Sequence, residues 1–175
     1  MIPDIERTSP GQLMAFTAAE LKILRGVKGD PARREWVKKR KKTRENTLEL
    51  NDSWSWIDFM CGKDVRPFVR GTKLHKGQFS RLQLFDLDVF LGELNKLPQD
   101  EAGLQKKFDA LSEEGFRYSY VPFWFSDKWK AAGITTIKTK ARGAEVIEKL
   151  TAARVFIDAT QERGEKLLFF CDYRD

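Results

Sequence analysis

The order of apolar and polar positions along the chain predicts six helices. Residues 17–20 match a capping box, so the first helix is expected to begin at Thr17 and to end at Gly26. Asp30 precedes a proline, an arrangement typical of a helix start, and this second helix is expected to carry the basic run that follows. Apolar residues at helical spacing predict the other four helices over residues 51–62, 86–98, 100–115 and 143–161.

Three shorter apolar runs have the character of strands. They lie at residues 12–16, 79–84 and 166–173, and the last contains Leu-Leu-Phe-Phe-Cys, a run typical of a strand buried on both faces. The chain shows no internal repeat and no interdomain linker. The sequence therefore predicts a single α+β domain over residues 1–175. Its small mixed β-sheet is expected to be covered by several helices, with a long C-terminal helix followed by a buried strand.

Composition narrows the class of protein. Of the 175 residues, 41% are hydrophobic and 33% are charged, which is enough apolar material for a core of ordinary size. Charged residues interrupt every stretch of 15, and residues 1–10 lack the apolar region of a secretory signal. We therefore expect a cytoplasmic protein with no membrane partner. The two cysteines, Cys61 and Cys171, have apolar neighbours and are expected to be reduced core residues.

Positive charge is concentrated in residues 22–44, which we call the basic segment. It contains eleven lysines and arginines against two acidic residues, a local net charge of +9. The rest of the chain carries 21 basic and 24 acidic side chains, so the formal net charge of +6 comes from this segment alone. Two interpretations remain open: a binding site for an acidic protein or a nucleic acid, and a solvated surface without a partner.

Aromatic residues are concentrated farther along the chain, at residues 116–129. Seven of the 21 aromatic side chains lie in these 14 positions, and they follow no regular period. This composition fits either the anchors of a binding surface or a small apolar cluster under an irregular segment. For a binding function, the candidate partner-binding residues of the two segments are Arg33, Arg34, Lys38, Lys39, Arg40, Lys41, Lys42, Tyr118, Tyr120 and Trp124.

The chain offers few residues for catalysis or metal binding. It has one histidine, His75, and two widely separated cysteines, which cannot form a familiar zinc site. Asp52 and Asp86 are expected to cap helices, and Asp88 is expected in a first helical turn. Asp58 lies beside a buried helix face and would need a cationic partner there. We therefore expect no catalytic residue, no metal and no cofactor.

The order of these elements resembles the YfbM-like family, a group of small bacterial proteins of unknown function. Residues 48–58 are similar to the family segment Leu-Asp-Leu-Asp-Lys-x-Trp-x-x-Leu-His, with Trp54 at the tryptophan and Asp58 where the family often has histidine. Similarity continues in a Pro-Phe-Val-Arg-Gly loop at residues 67–71 and a Tyr-Val-Pro segment at residues 120–122. A long last helix and a C-terminal strand complete the resemblance, which covers about residues 12–173.

The resemblance implies a fold more than an activity. It implies an α+β domain in which the basic helix at about residues 30–45 is an elaboration. Because the family is associated with toxin and defence loci, it also implies an immunity or toxin-neutralising role. With the basic segment, this favours a non-enzymatic module that binds an acidic protein partner, with a cognate toxin as the candidate. The alternative is a nucleic-acid-binding protein that uses the basic helix 33–44.

Overall fold

The computed structural model describes residues 11–51, 53–61, 72–73, 82–117 and 139–171, which form a five-stranded sheet between two layers of helices. The strands are β1 (Gly11–Phe16), β2 (Thr47–Asn51), β3 (Thr72–Lys73), β4 (Leu82–Phe85) and β5 (Lys166–Cys171). The helices are α1 (Ala18–Gly26), α2 (Asp30–Lys39), α3 (Ser53–Met60), α4 (Leu87–Asn95), α5 (Glu101–Arg117) and α6 (Thr139–Glu162).

The sheet has the strand order β2-β1-β5-β4-β3, and each of its four strand pairs is antiparallel. At its centre, β1 pairs with β5 from Gly11 opposite Cys171 to Phe16 opposite Lys166. The predicted α+β fold, with its long last helix and buried last strand, is confirmed. The expectation of a mixed sheet is corrected. Even β1 and β2, which are connected through two helices, pair antiparallel.

Side chains of β1 and β5 alternate between two separate apolar cores. The larger core, shared with α3 to α6, takes one set of side chains from the two strands: Leu13, Ala15, Leu167 and Phe169. The smaller core, shared with α1 and α2, takes the other set: Met14, Phe16, Leu168 and Phe170. Because helices cover both faces, the apolar run of β5 has no polar alternation, as a strand buried on both sides should.

The helix starts predicted at Thr17 and Asp86 are confirmed. The Thr17 hydroxyl accepts a hydrogen bond from the Glu20 amide at 3.2 Å, and the Glu20 carboxylate accepts one from the Thr17 amide at 3.1 Å. These two bonds complete the capping box at the start of α1. The Asp86 carboxylate accepts a hydrogen bond from the Val89 amide at 3.1 Å at the start of α4.

The edge strand β2 has no counterpart among the strands predicted from the sequence. A bulge in its pairing with β1 places Asn51 opposite Gly11, with an Asn51 φ of 52°, a left-handed conformation that asparagine tolerates. Trp54 of α3 then packs directly on the Gly11 backbone. A Cβ at Gly11 would meet the Trp54 ring and lie 2.8 Å from Cε2 of Phe169. The predicted burial of Trp54 is therefore confirmed.

Several element boundaries differ from the predicted ones. Helix α5 continues through Gly115 to Arg117, because one glycine inside a helix costs only about 1 kcal/mol. Helix α6 begins at Thr139, earlier than expected, and β4 covers Leu82–Phe85, while the first three residues of the strand predicted at 79–84 lie outside the described ranges. Some residues singled out in the sequence lie outside the described ranges: Asp52, His75, Tyr118, Tyr120 and Trp124.

Candidate interaction surface

Helix α2 ends at Lys39, five residues before the end of the basic helix predicted over residues 33–44. The next residue, Arg40, has an extended backbone, and its guanidinium binds both α1 and β1. Its Nη2 donates to the Ala15 carbonyl at 2.7 Å and to Oε1 of Glu20 at 2.9 Å, and its Nε donates to Oε2 of Glu20. The guanidinium carbon lies 4.0 Å from the centre of the Phe16 ring. These contacts fix the chain direction at Arg40, so the helix stops there.

Glu20 is the acidic partner of Arg40, and its pKa lies below the ordinary value of 4.5. Burial alone would raise this pKa, but the hydrogen bonds and charge of Arg40, together with the Thr17 amide, lower it by more. The Arg40 side chain is only 10% exposed and that of Glu20 is 28% exposed. The ion pair therefore joins α1, β1 and the end of α2 at a site partly shielded from water.

Arg33 also connects α2 to α1. Its Nε donates to the Val27 carbonyl at 2.8 Å and its Nη2 donates to the Arg25 carbonyl at 3.4 Å. Arg25 lies in the last turn of α1 and Val27 follows it, a position where the helix provides no amide to bind these carbonyls. Arg33 and Arg40, both candidates for partner binding, thus use hydrogen bonds within the chain, and Arg34 is half-buried.

Four of the candidate partner-binding residues within the described ranges are exposed, and we name them the lysine surface: Lys38, Lys39, Lys41 and Lys42. The first two lie in the last turn of α2, and the other two follow Arg40. Nζ of Lys42 donates to Oε1 of Gln12 on β1 at 3.1 Å. The lysine surface therefore extends from the end of α2 to a side chain of β1, the second strand of the sheet.

A hydrogen-bonded turn carries the chain from the lysine surface into β2. The Thr43 amide donates to Oδ1 of Asn46 at 2.7 Å, and Nδ2 of Asn46 donates to the Lys41 carbonyl at 3.3 Å. The Asn46 carbonyl accepts a hydrogen bond from the Ala15 amide at 2.9 Å. Arg40 and Asn46 thus bind the same residue of β1, and they fix the backbone on both sides of the intervening lysines.

A groove of about 1130 Å³ runs along an exposed side of α6, and we name it the α6 groove. The start of α5 forms one wall, and the residues that lead into β2 form another. Its larger apolar lining residues are Leu48, Ile147, Val155 and Phe156. Sequence reasoning missed this groove. The one signal in the sequence was Val155, an apolar residue that lies off the apolar face of α6. In the structure its side chain is 68% exposed.

The α6 groove carries opposite charges at its two ends. Glu101, at the start of α5, and Glu148, in the first half of α6, contribute negative charge. Arg163, which follows the last turn of α6, lies near the other end together with Arg44. Nη2 of Arg163 donates to the Glu45 carbonyl at 3.0 Å, which brings the end of α6 against the basic segment.

A smaller polar pocket of about 520 Å³ joins the groove to the lysine surface. Arg40 and Lys41 line this pocket from the basic segment, with Glu20 from α1. Glu45 and Arg163 line both the pocket and the α6 groove. The cationic surface and the apolar groove are therefore continuous.

The residues considered for catalysis have surroundings that suit structural roles. Asp88 accepts a hydrogen bond from the Gln161 side chain, and Asp58 is buried beside the larger core. Burial, followed by the negative charges of Asp58 and Glu93, raises the pKa of the Cys61 thiol to about 12. This thiol stays protonated at neutral pH and is a poor nucleophile.

Among the residues that the structure describes, no three His, Cys, Asp or Glu side chains are placed together to hold a metal ion. In those same ranges, no helix has the length and apolar character needed to cross a membrane. No protein-family model, curated protein or solved structure matches the chain. The resemblance to the YfbM-like family thus stays a prediction.

Proposed function

We propose that this chain is a non-enzymatic binding module that docks an acidic protein partner on the lysine surface. The observation that carries the proposal is the fixed backbone at Arg40, whose side chain is bound to Glu20 and Ala15 and lies over Phe16. Lysines before and after Arg40 are thus presented by a scaffold that is already ordered. Such a surface loses little backbone entropy on binding, and its field raises the rate of encounter with an acidic partner.

Trp36 is the one aromatic residue of the basic segment, and its position favours a protein partner over a nucleic acid. The Trp36 ring is half-buried and stacks on Phe16 with ring centres 6.2 Å apart, so its position suits packing within the domain. Surfaces that hold single strands usually combine cations with aromatic rings on which bases stack. The α6 groove beside the lysine surface also offers apolar area that a protein partner can bury.

The partner we propose is an effector protein, such as a cognate toxin, which the chain neutralises in the cytoplasm. The acidic character of the partner is inferred from the charge of the lysine surface. The immunity role is inferred from the resemblance to the YfbM-like family, and the cytoplasmic location from composition.

The test is the joint replacement of Lys38, Lys39, Lys41 and Lys42 by glutamate, which takes the basic segment from a net charge of +9 to +1. We expect association with an acidic protein recovered by pull-down to slow at least tenfold at physiological salt, with a smaller change in the dissociation rate. The difference should shrink as salt is raised, because the screening length is only about 8 Å at physiological ionic strength. Stopped-flow fluorescence over a salt series measures both rates.

A matched control reverses four lysines outside the basic segment: Lys96, Lys106, Lys149 and Lys166. It changes the net charge equally and should leave the association rate within about twofold of wild type. An equal loss in the control would show that net charge alone acts and would contradict the proposal. If the wild type instead binds DNA or RNA with a steep salt dependence that the first variant loses, the partner is a nucleic acid.

A further inference from the structure

We infer that the α6 groove receives an amphipathic helix of the acidic partner. The inference rests on the proposed function and adds the structural element that the partner contributes. Its basis is the continuity of the two surfaces, since Glu45 and Arg163 line both the α6 groove and the polar pocket that contains Lys41. A partner attracted to the lysine surface therefore meets the apolar groove next to it.

The dimensions of the α6 groove suit a helix of about four turns. Its lining extends along α6 from Ala144 to Ala159, about 22 Å at 1.5 Å per residue. Small side chains along this line, such as Ala152, allow the axis of a second helix to approach closely. Val155 and Phe156 then contact apolar residues that recur every three or four positions on the partner helix.

The charges at the two ends of the groove give the partner helix a direction. At one end, Arg44 and Arg163 lie beside the lysine surface, with the acidic residues Glu45 and Glu165 next to them, and Nη2 of Arg163 pairs with Oε2 of Glu165 at 3.3 Å. At the other end, Glu101 and Glu148 repel acidic residues. The acidic end of the partner helix is therefore expected near Arg44 and Arg163, and its basic or neutral end near the start of α5.

The test uses three synthetic 16-residue peptides of identical composition. In the first, leucines at positions 1, 5, 8 and 12 form one helical face and the glutamates lie at one end, in the second the leucines are scrambled, and in the third the charges are exchanged between the ends. Fluorescence anisotropy measures binding to the wild-type chain. We expect the first peptide to bind at least tenfold more tightly than the second and more tightly than the third.

Val155→Glu places a charge in the groove, and we expect it to weaken binding of the first peptide at least tenfold. The matched control is Val89→Glu on α4, because Val89 is 64% exposed and does not line the α6 groove. The control should bind this peptide as the wild type does. Circular dichroism should show the same melting temperature for both variants, within about 2 °C.

Each other outcome contradicts the inference in a distinct way. The α6 groove is not the binding site of the partner helix if the first two peptides bind equally, if neither binds, or if Val155→Glu has no effect. A melting temperature more than about 5 °C lower for Val155→Glu than for Val89→Glu shows that the chain itself occupies the groove. If the wild type sediments as a dimer and Val155→Glu as a monomer, a second copy of the chain occupies the groove.

The proposed function fails separately from this inference. If the lysine-surface variant binds the first peptide as tightly as the wild type, the groove acts alone and the lysines are not part of the site. If the lysine-surface variant loses binding of the first peptide while Val155→Glu keeps it, the proposed function is supported and the role of the groove is contradicted.

Discussion

The two faces of the sheet are covered by helical layers, and in each layer a different arginine binds neighbouring elements. On the smaller face, Arg40 joins α1 and β1 through a carboxylate and a backbone carbonyl. On the larger face, Arg154 of α6 donates to the carbonyls of Leu94, Leu97 and Pro98 at 2.6, 3.0 and 3.1 Å. Arg40 is thus paired with a carboxylate, whereas Arg154 is bound by backbone carbonyls at the end of α4.

The two faces also differ in how much buried apolar material they hold. The α1–α2 layer contributes few residues to its core, and its outer side is left to the lysines. The α3–α6 layer holds most of the buried apolar side chains, and Arg154 satisfies the carbonyls at the C-terminal end of α4, where a cation is favoured. Substitutions on the larger face should therefore cost more stability than equivalent ones on the smaller face.

The largest effect should come from replacing tryptophans on the two faces. Trp54→Ala removes a buried ring that packs on Gly11 and lies 5.1 Å from Phe169, and we expect it to cost about 3–5 kcal/mol. Trp36→Ala removes a half-buried ring on the smaller face, and about 2 kcal/mol is expected from the apolar area lost. Urea unfolding of both variants measures the free energies. Equal costs would contradict the comparison of the two layers.

The two arginines provide a second, smaller contrast. Arg154→Leu removes three charge-assisted hydrogen bonds, although the Leu94 and Leu97 carbonyls keep the Leu97 amide and the Gln99 side chain as donors, and we expect a loss of about 2–3 kcal/mol in the free energy of unfolding. Arg40→Leu should cost less, about 1–2 kcal/mol, because Glu20 is exposed enough to recover hydration. Urea unfolding at neutral pH tests the order. A larger loss for Arg40→Leu would show that its ion pair is more important than the capping of α4.

How much of this arrangement can be read from the sequence depends on how far apart the interacting residues lie. The capping box at Thr17 and the burial of Trp54 follow from patterns within a few residues, and both were predictable. Arg40 binds a carbonyl 25 residues away, and Arg154 binds one 60 residues away. No local pattern distinguishes these arginines from solvated ones.

The edge strand and the groove were unpredictable for related reasons. β2 has only five residues, and its alternation includes just two apolar side chains, Leu48 and Leu50, which is too short a pattern to identify a strand without its pairing with β1. The α6 groove arises where α5, α6 and the start of β2 meet, so its lining is scattered over more than 100 positions of the chain. The lysine surface was predictable as a charge cluster, but not the anchoring of Arg33 and Arg40 within it.

The smallest expected effect is the pH dependence of the Glu20–Arg40 ion pair. Because Arg40 and the Thr17 amide hold the pKa of folded Glu20 below its ordinary value of 4.5 despite burial, the ionised carboxylate favours the folded state. Its contribution should be fully present above pH 4.5 and be lost as the pH falls through the folded pKa. Glu20→Gln keeps a side chain that can complete the capping box but removes the charge. We expect it to cost no more than about 1 kcal/mol at pH 7 and progressively less as the pH falls below 4.5, measured by urea unfolding from pH 7 into the acid range. Arg154 is bound by carbonyls, which do not titrate, so the cost of Arg154→Leu should stay constant over the same pH range. A parallel decrease for Arg154→Leu would contradict the contrast between the two arginines.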